Sequence, residues 1–167
     1  MRVLPEIPSV PTFAECQAAL GSWWFHYDHA AMAEFAEHIG PEMHFRSRTA
    51  SGATAYEDFV RADLRGKDAV LRWHIEHRTN SPYPLRHNAT SVFATASTDA
   101  GTSVASYLFV TRTVDGKPAN LASGVVRATA VRAAHRILFA EMDVVLDTID
   151  STDVLGASAP EMISVGE

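Results

Sequence analysis

The chain lacks the residues that several common kinds of site require. Cys16 is the only cysteine among 167 residues, which excludes an intrachain disulfide and a cysteine-based zinc cage. Cys16 falls in an apolar helical pattern and is expected to pack as a small hydrophobic side chain. The sequence contains neither Gly-x-Ser-x-Gly nor a glycine-rich phosphate loop, so a nucleophile elbow and a P-loop are excluded.

Long apolar runs and basic runs are missing as well. No stretch approaches the ~20 apolar residues that cross a bilayer. The first eight residues carry prolines and an acid, where a signal peptide would be apolar. A net charge of -6 without a basic stretch argues against a nucleic-acid partner. We therefore predict a cytoplasmic protein with no nucleic-acid or membrane partner.

The remaining composition is that of a globular chain, with 47% hydrophobic and 20% charged residues. Residues 1–11 contain three prolines and are predicted to form an extended N-terminal arm. Residues 12–150 are predicted to form a single domain. Residues 151–167 are rich in Ser, Gly and Ala and are predicted to be a flexible tail.

Helical patterns dominate the first half of the chain. Thr12 and Glu15 have the spacing of a capping box, and apolar residues follow at helical intervals up to Tyr27. A second helix is predicted over 30–39, closed by Gly40-Pro41. After a short strand over 43–48, further helices are predicted over 54–64, opened by a second capping box, and over 67–78.

Strand patterns dominate from Leu85 onward. Alternating β-branched and aromatic residues form about four strands, with a turn at Asp115-Gly116 and a hairpin link over 133–136. Helices that precede a strand meander indicate an α+β fold, in which helices cover one face of a curved, mostly antiparallel sheet. The strands are apolar on both alternations, which is consistent with two buried faces.

Tyr27 and Asp28 at a helix end, and His87 at a strand start, are the candidate chemical residues. A neutral imidazole can take and return a proton, and a carboxylate on its second nitrogen fixes the tautomer. Each residue also has a structural interpretation. His87 can bond a backbone carbonyl, Asp28 can cap the second helix, and Tyr27 can anchor the first helix in the core.

Two further sets of residues, a histidine pair and a mid-strand arginine, are candidates for binding. His74 and His77 share one helix face at i, i+3, but a zinc site needs three or four ligands and Arg72 and Arg78 flank them. A solvated helix face is the favoured interpretation, and no metal site is predicted. Arg127 lies mid-strand and either binds an acidic substrate group or, as cross-strand pairing favours, faces Glu141 or Asp143.

The order of these motifs resembles the nuclear transport factor 2-like (NTF2-like) superfamily, and more narrowly SnoaL-like proteins and scytalone dehydratase. Residues 24–28, 84–88, 106–110 and 142–147 carry the resemblance, which spans roughly residues 12–148. It implies a cone-shaped α+β barrel of the cystatin/NTF2-like type, with a pocket between sheet and helices. The block from Arg86 to Asp147 also resembles the β subunits of ring-hydroxylating dioxygenases.

The resemblance implies catalytic roles for Tyr27, Asp28 and His87. Phe45 stands where the family has a second tyrosine, and the family's second histidine has no counterpart near 111–114. The implied function is a cofactor-free lyase, isomerase or cyclase acting on a small hydrophobic, cyclic or polyketide-like molecule. The alternative is a non-catalytic subunit or binding module of the same fold. A homo-oligomer, dimer or trimer, is expected. The residues expected to line the substrate pocket are Trp24, Phe45, Tyr107, Phe109 and Arg127.

Overall fold

The computed structural model describes residues 9–52 and 55–147. Within these ranges, four helices and six strands form a mixed α+β fold. In chain order the elements are α1 (Phe13–Asp28), α2 (Met32–Ala36), β1 (Ile39–Thr49), α3 (Ala55–Val60), β2 (Ala62–Arg65), α4 (Lys67–Thr79), β3 (Leu85–Thr98), β4 (Gly101–Val114), β5 (Lys117–Ala133) and β6 (Arg136–Leu146).

The start of α1 is fixed by the predicted capping box. The backbone N–H of Glu15 donates to Thr12 Oγ1 at 3.3 Å, and the backbone N–H of Thr12 donates to the Glu15 carboxylate at 2.8 Å. Arg132 on β5 donates to the same carboxylate at 2.6 Å. These bonds lower the pKa of Glu15 to about 2, with the Arg132 bond the largest cause. The charged cap therefore ties the helix start to the sheet.

The segment after α1 differs from the prediction. The helix expected over 30–39 contains only Met32–Ala36, and its N-cap is Ala31. Asp28 is thus not the cap of α2, since its side chain is engaged elsewhere. Gly40 and Pro41 do not end a helix but lie in β1. Gly40 is needed there because a Cβ would lie 2.7 Å from the carbonyl oxygen of Phe139 on β6.

The helix predicted over 54–64 is also shorter. It ends at Val60, and Leu64 lies in the short strand β2, which pairs antiparallel with β1. Thr54, the expected cap, is outside the described residues. Glu57 instead accepts a 2.6 Å hydrogen bond from the backbone N–H of Thr49 and pairs with Arg61. The helix predicted over 67–78 is confirmed as α4.

The strands form one curved, unclosed sheet in the order β2-β1-β6-β5-β4-β3. The meander β3–β6 is antiparallel, as predicted, and β1 joins it by pairing parallel with β6. At the β4–β5 turn, Asp115 and Gly116 both have positive φ (48° and 74°), which a two-residue type I′ turn requires.

Helix α1 packs against this sheet and forms the core with it. The fully buried Trp23 contacts Phe35 of α2 and Phe139 of β6 with ring centroids 4.3 and 5.6 Å apart. Phe25, by contrast, is exposed. No helix in the described ranges is long and apolar enough to cross a membrane. Residues 1–8 of the predicted arm and the whole of the predicted tail lie outside the described residues.

Close strand packing predicts opposite effects of alanine at two glycines. A Cβ at Gly124 would lie 2.4 Å from the carbonyl oxygen of Val145, so Gly124→Ala should destabilise by about 2 kcal/mol. Gly21 is at an exposed position of α1, and a Cβ there would have no neighbour within 4 Å apart from the adjoining residues and the backbone of the helix itself. Gly21→Ala should stabilise by about 0.5–1 kcal/mol. Urea unfolding measures both, and equal effects would contradict the strand register.

Candidate active site

Asp28 and His87 meet at the junction of α1 and β3. His87 Nδ1 lies 2.6 Å from Asp28 Oδ1, and the backbone N–H of His87 donates to Asp28 Oδ2 at 2.8 Å. The side chain of Asp28 is 4% exposed, and that of His87 is 10% exposed. Because the carboxylate accepts from Nδ1, the neutral ring carries its lone pair on Nε2. The two residues are therefore in the geometry of an oriented acid/base pair.

Trp24 fixes the plane of the His87 ring. The two rings are stacked, with centroids 4.6 Å apart and an interplanar angle of 7°. Trp24 is buried on α1, one helical turn before Asp28. One helix therefore supplies both the carboxylate that holds His87 and the aromatic face that covers it.

Arg78 of α4 secures the end of α1 from the other side. Its buried guanidinium donates to the backbone carbonyl of Asp28 from Nη2 at 3.0 Å and from Nε at 3.3 Å, and to the carbonyl of Pro82 at 3.3 Å. The last carbonyls of a helix have no partner within the helix. Arg78 therefore provides hydrogen-bond donors for the C-terminal carbonyl that belongs to Asp28.

His87 of this pair lines an apolar cavity between the helices and the sheet. The space open to the centre of a water molecule is about 60 Å³, enough for a few waters or a small ligand group. Side chains two residues apart on the strands form the sheet side, since alternate residues share a face. These residues include Leu85 and His87 on β3, and Leu108 and Val110 on β4.

The predicted substrate-binding residues divide between two faces of the sheet. Trp24 and Phe45 line the cavity, as do Tyr27 and His87. Tyr107 and Phe109 do not: they are 58% and 43% exposed and alternate with the cavity-lining Leu108 and Val110. Their predicted place in the pocket is therefore wrong, and the register explains it, because His87 is paired with Val110 and directly opposed residues share a face.

Arg127 also lies outside the cavity. It is exposed on β5, directly opposite Asp143 of β6. A depression lined mostly by polar and charged side chains on the outer face includes both residues together with Arg46. The expectation that Arg127 reaches a substrate in the cavity is wrong, while its predicted cross-strand position beside Asp143 matches the register.

His74 and His77 are not on a solvated helix face. His74 is 2% exposed, and its Nδ1–H donates to the backbone carbonyl of Val70 at 2.8 Å. His77 Nδ1 lies 2.5 Å from the Tyr27 hydroxyl. Both histidines line the cavity, and burial lowers the pKa of each to about 3. The prediction of a solvated helix face took the flanking Arg78 to be in solvent, whereas Arg78 is itself buried.

The pKa of Tyr27 moves in the opposite direction. Burial raises it above its usual value, so the phenol stays protonated at neutral pH. In the described ranges, no three His, Cys, Asp or Glu side chains are grouped so that they could hold a metal ion. The site is therefore a set of neutral donors and acceptors around one oriented imidazole–carboxylate pair.

Comparisons with solved structures identify the fold. A protein from Catenulispora acidiphila, solved in complex with S-DNPA, is 25% identical, with 81% of this chain and 92% of that chain covered and a TM-score of 0.64. An NTF2-like protein with a cystatin-like fold from Novosphingobium aromaticivorans is 13% identical, with 86% and 88% covered and a TM-score of 0.64.

The β subunit of benzoate 1,2-dioxygenase from Burkholderia mallei has the same TM-score at 13% identity, with 84% of this chain and 93% of that chain covered. No protein-family model and no curated protein sequence matches the chain. The similarity to these solved structures shows that the chain has the NTF2-like, cystatin-like fold that its motif order resembles.

The buried histidines predict a pH-dependent stability. Unfolded His74 takes up a proton below about pH 6.5, whereas the folded residue does not until about pH 3. Acidification therefore favours the unfolded state, and stability should fall as the pH drops from 6.5 toward 3. His74→Gln should make this loss shallower by up to about 1.4 kcal/mol per pH unit.

Urea unfolding of both proteins between pH 6.5 and 4 measures this difference. His135→Gln, at an exposed position in the β5–β6 turn, is the matched control and should keep the original slope. Parallel slopes for the original chain and His74→Gln would contradict a neutral, buried His74.

Proposed function

We propose that this protein is a cofactor-free lyase, isomerase or cyclase that performs acid/base chemistry on a small hydrophobic, cyclic or polyketide-like molecule. The observation that carries the proposal is the 2.6 Å contact between Asp28 and His87 Nδ1 at the wall of an apolar cavity. His87 is the general base and acid, and Asp28 orients it. Tyr27 lies beside the same imidazole, with the two ring centroids 5.3 Å apart in an edge-to-face arrangement.

The chemistry follows from the tautomer that Asp28 imposes. His87 Nε2 takes a proton from an activated C–H or O–H group of the ligand, leaving the electron pair on the ligand. The Asp28 carboxylate stabilises the imidazolium that forms. Return of the proton to another ligand atom gives an isomer or a cyclised product. When the proton comes from a carbon next to one that bears a hydroxyl, the C–H electron pair forms the new double bond, the C–O bond breaks, and the proton leaves with the hydroxyl as water.

The cavity supports a hydrophobic ligand with few polar groups. Its walls are mainly aromatic and aliphatic, as in small-molecule sites generally. The similar protein from Catenulispora acidiphila was solved with S-DNPA, which makes this compound the first probe for binding here. The sheltered cavity also favours proton transfer, because electrostatic interactions are stronger where water is excluded.

Solvent deuterium exchange tests the acid/base role without knowledge of the natural product. S-DNPA and a panel of small cyclic ketones are incubated with the protein in deuterated buffer, and mass spectrometry follows deuterium uptake and loss of water. His87→Gln should slow any catalysed exchange by at least ~10²-fold because the proton acceptor is gone. Asp28→Asn should slow it in the same direction because the tautomer is no longer fixed.

The matched control is again His135→Gln, which should exchange at the original rate. Tight binding of S-DNPA without exchange or dehydration of any compound would contradict the enzymatic proposal. It would instead support the alternative, a small-molecule-binding module or an accessory subunit of the same fold.

We also infer that a second copy of this chain covers the outer face of the sheet. Three aromatic side chains on neighbouring strands lie there: Phe93 on β3, and Tyr107 and Phe109 on β4. They are 56%, 58% and 43% exposed. Grouped exposed aromatic residues mark interaction surfaces, and the expected homo-oligomer provides the occupant.

Replacement of two of these aromatic side chains by lysine should separate the copies. The double variant Tyr107→Lys/Phe109→Lys is expected to sediment as a monomer because two desolvated ammonium groups oppose association. Phe25→Lys is the control, since Phe25 is 59% exposed but lies on α1, and it should leave the mass unchanged. A monomeric unmodified chain in sedimentation velocity would refute the oligomer.

A further inference from the structure

Tyr56 is a polar residue of the cavity that the acid/base pair does not use. It lies on α3, it is 3% exposed, and it lines the same cavity as His87. The sequence pattern of α3 placed Phe59, Val60 and Leu64 on the apolar side and left Tyr56 without a role. Its aromatic ring fits an apolar wall, but its hydroxyl is a polar group that needs a partner.

Helix α3 is held against β1 by the residue that follows Tyr56. The buried carboxylate of Glu57 accepts a 2.6 Å hydrogen bond from the backbone N–H of Thr49. Arg61 donates to the other oxygen of this carboxylate at 3.1 Å. Ser47, two residues before Thr49 on β1, lines the cavity as well. The paired carboxylate therefore keeps the start of α3, and Tyr56 with it, at the cavity wall.

The Tyr56 hydroxyl has no hydrogen-bond partner in the part of the chain that the structure describes. Burial is the one cause that raises its pKa, to about 12, and no nearby donor or positive charge opposes the rise. The hydroxyl is also not among the unpaired side-chain nitrogen and oxygen atoms of the described residues that are closed to solvent. It therefore lacks a partner and remains open to contact by a molecule the size of water.

The hydroxyl faces the interior of the protein. Because Tyr56 is only 3% exposed, its polar end does not project into bulk solvent. An ionised Tyr56 would raise the pKa of Tyr27, which requires the two hydroxyl groups to be near each other in the low-dielectric interior. The Tyr27 hydroxyl is already engaged with His77. Tyr56 is thus the phenol of the cavity that remains for a ligand.

A phenol in this position acts mainly as a hydrogen-bond donor. Burial disfavours its ionised form, so Tyr56 keeps its proton at neutral pH. The oxygen lone pairs of a phenol are partly delocalised into the ring, which makes the group a better donor than acceptor. A carbonyl oxygen can only accept and is the matching partner. The mainly aromatic and aliphatic walls around Tyr56 suit the hydrocarbon part of such a molecule.

We propose that the Tyr56 hydroxyl donates a hydrogen bond to a carbonyl oxygen of a cyclic ligand bound in this cavity. The inference rests on the proposed function in that it takes the cavity to be the ligand site, and it does not require turnover. Tyr56 and His87 then contact two parts of one ligand: the phenol binds the carbonyl oxygen, and the imidazole meets the C–H group next to the carbonyl.

The consequence for chemistry is specific. When His87 removes a proton from the carbon next to a carbonyl group, the electron pair of the C–H bond moves toward the carbonyl oxygen, where negative charge develops. A donor already placed at that oxygen stabilises the charge without reorganisation. Tyr56 serves as this donor because it is neutral and protonated before the ligand enters.

Two ligands of nearly the same shape test the hydrogen bond. Cyclohexanone carries an acceptor oxygen, whereas methylenecyclohexane has a CH₂ group in its place. Each is titrated into nitrogen-15-labelled protein, and NMR shifts give the affinity. Tyr56→Phe removes only the hydroxyl, so it should weaken cyclohexanone binding by about fivefold and leave methylenecyclohexane binding unchanged.

Tyr83→Phe is the matched control. Tyr83 is 58% exposed and does not line the cavity, so this variant should bind both ligands as the original chain does. Thermal melting separates a ligand contact from a structural role. Because the Tyr56 hydroxyl bonds no described residue, its removal should not lower the melting temperature.

The carbonyl stretch of bound cyclohexanone gives a readout in the original chain. A hydrogen bond to the oxygen weakens the C=O bond, so the infrared frequency of the carbon-13-labelled ketone should be lower in the complex than in hexane. Tyr56→Phe should move the frequency back toward the hexane value, and Tyr83→Phe should not.

A hexane-like frequency in the original chain overturns the proposal. So do failure of cyclohexanone to bind, equal ketone affinities of Tyr56→Phe and the original chain, or equal weakening of both ligands. The deuterium-exchange experiment fails independently. Ketone binding that depends on Tyr56, without exchange that depends on His87, keeps this inference and removes the acid/base function. Exchange that depends on His87, with ketone binding that ignores Tyr56, does the reverse.

Discussion

The candidate site depends on one buried carboxylate, that of Asp28, which joins helix α1 to strand β3. Asp28 ends α1, and its two oxygens accept from the backbone and the ring of His87, 59 residues away in sequence. A buried charge is tolerated when its hydrogen-bonding capacity is met, and here the same bonds join the helix to the first strand of the meander. Arg78 adds to the junction by binding the backbone carbonyl of Asp28. Orientation of the imidazole and attachment of the helix are therefore one interaction.

Three histidines around the cavity have different surroundings, and those surroundings separate their chemistry. His87 faces a carboxylate, His77 faces a phenol, and His74 faces the backbone carbonyl of Val70. The carboxylate can only accept, so a neutral His87 has its lone pair on Nε2. The carbonyl of Val70 can likewise only accept, so Nδ1 of His74 donates to it. Environment, and not residue type, distinguishes the candidate acid/base imidazole from the other two, as it does for paired carboxylates in other enzymes.

The sequence predicted local features well, but it predicted poorly which face of a strand or helix is buried. The capping box at Thr12 and the approach of Asp28 to His87 could be predicted because caps are local and the motif order resembles a known fold. The positions of Tyr107 and His77 could not. The strand of Tyr107 is apolar on both alternations, so only the pairing register reveals its face. His77 lies among charged residues, and its burial depends on Tyr27, fifty residues earlier in the chain.

Concentrating the site on one helix has an evolutionary consequence. Trp24, Tyr27 and Asp28 occupy little more than one turn of α1, and the neighbouring Trp23 anchors that turn among Phe35 and Phe139. A substitution beneath Trp23 that tilts the helix displaces all three side chains as a rigid group. For the proposed ligand site, changes in the core can thus alter the geometry of the cavity without replacement of any residue that lines it.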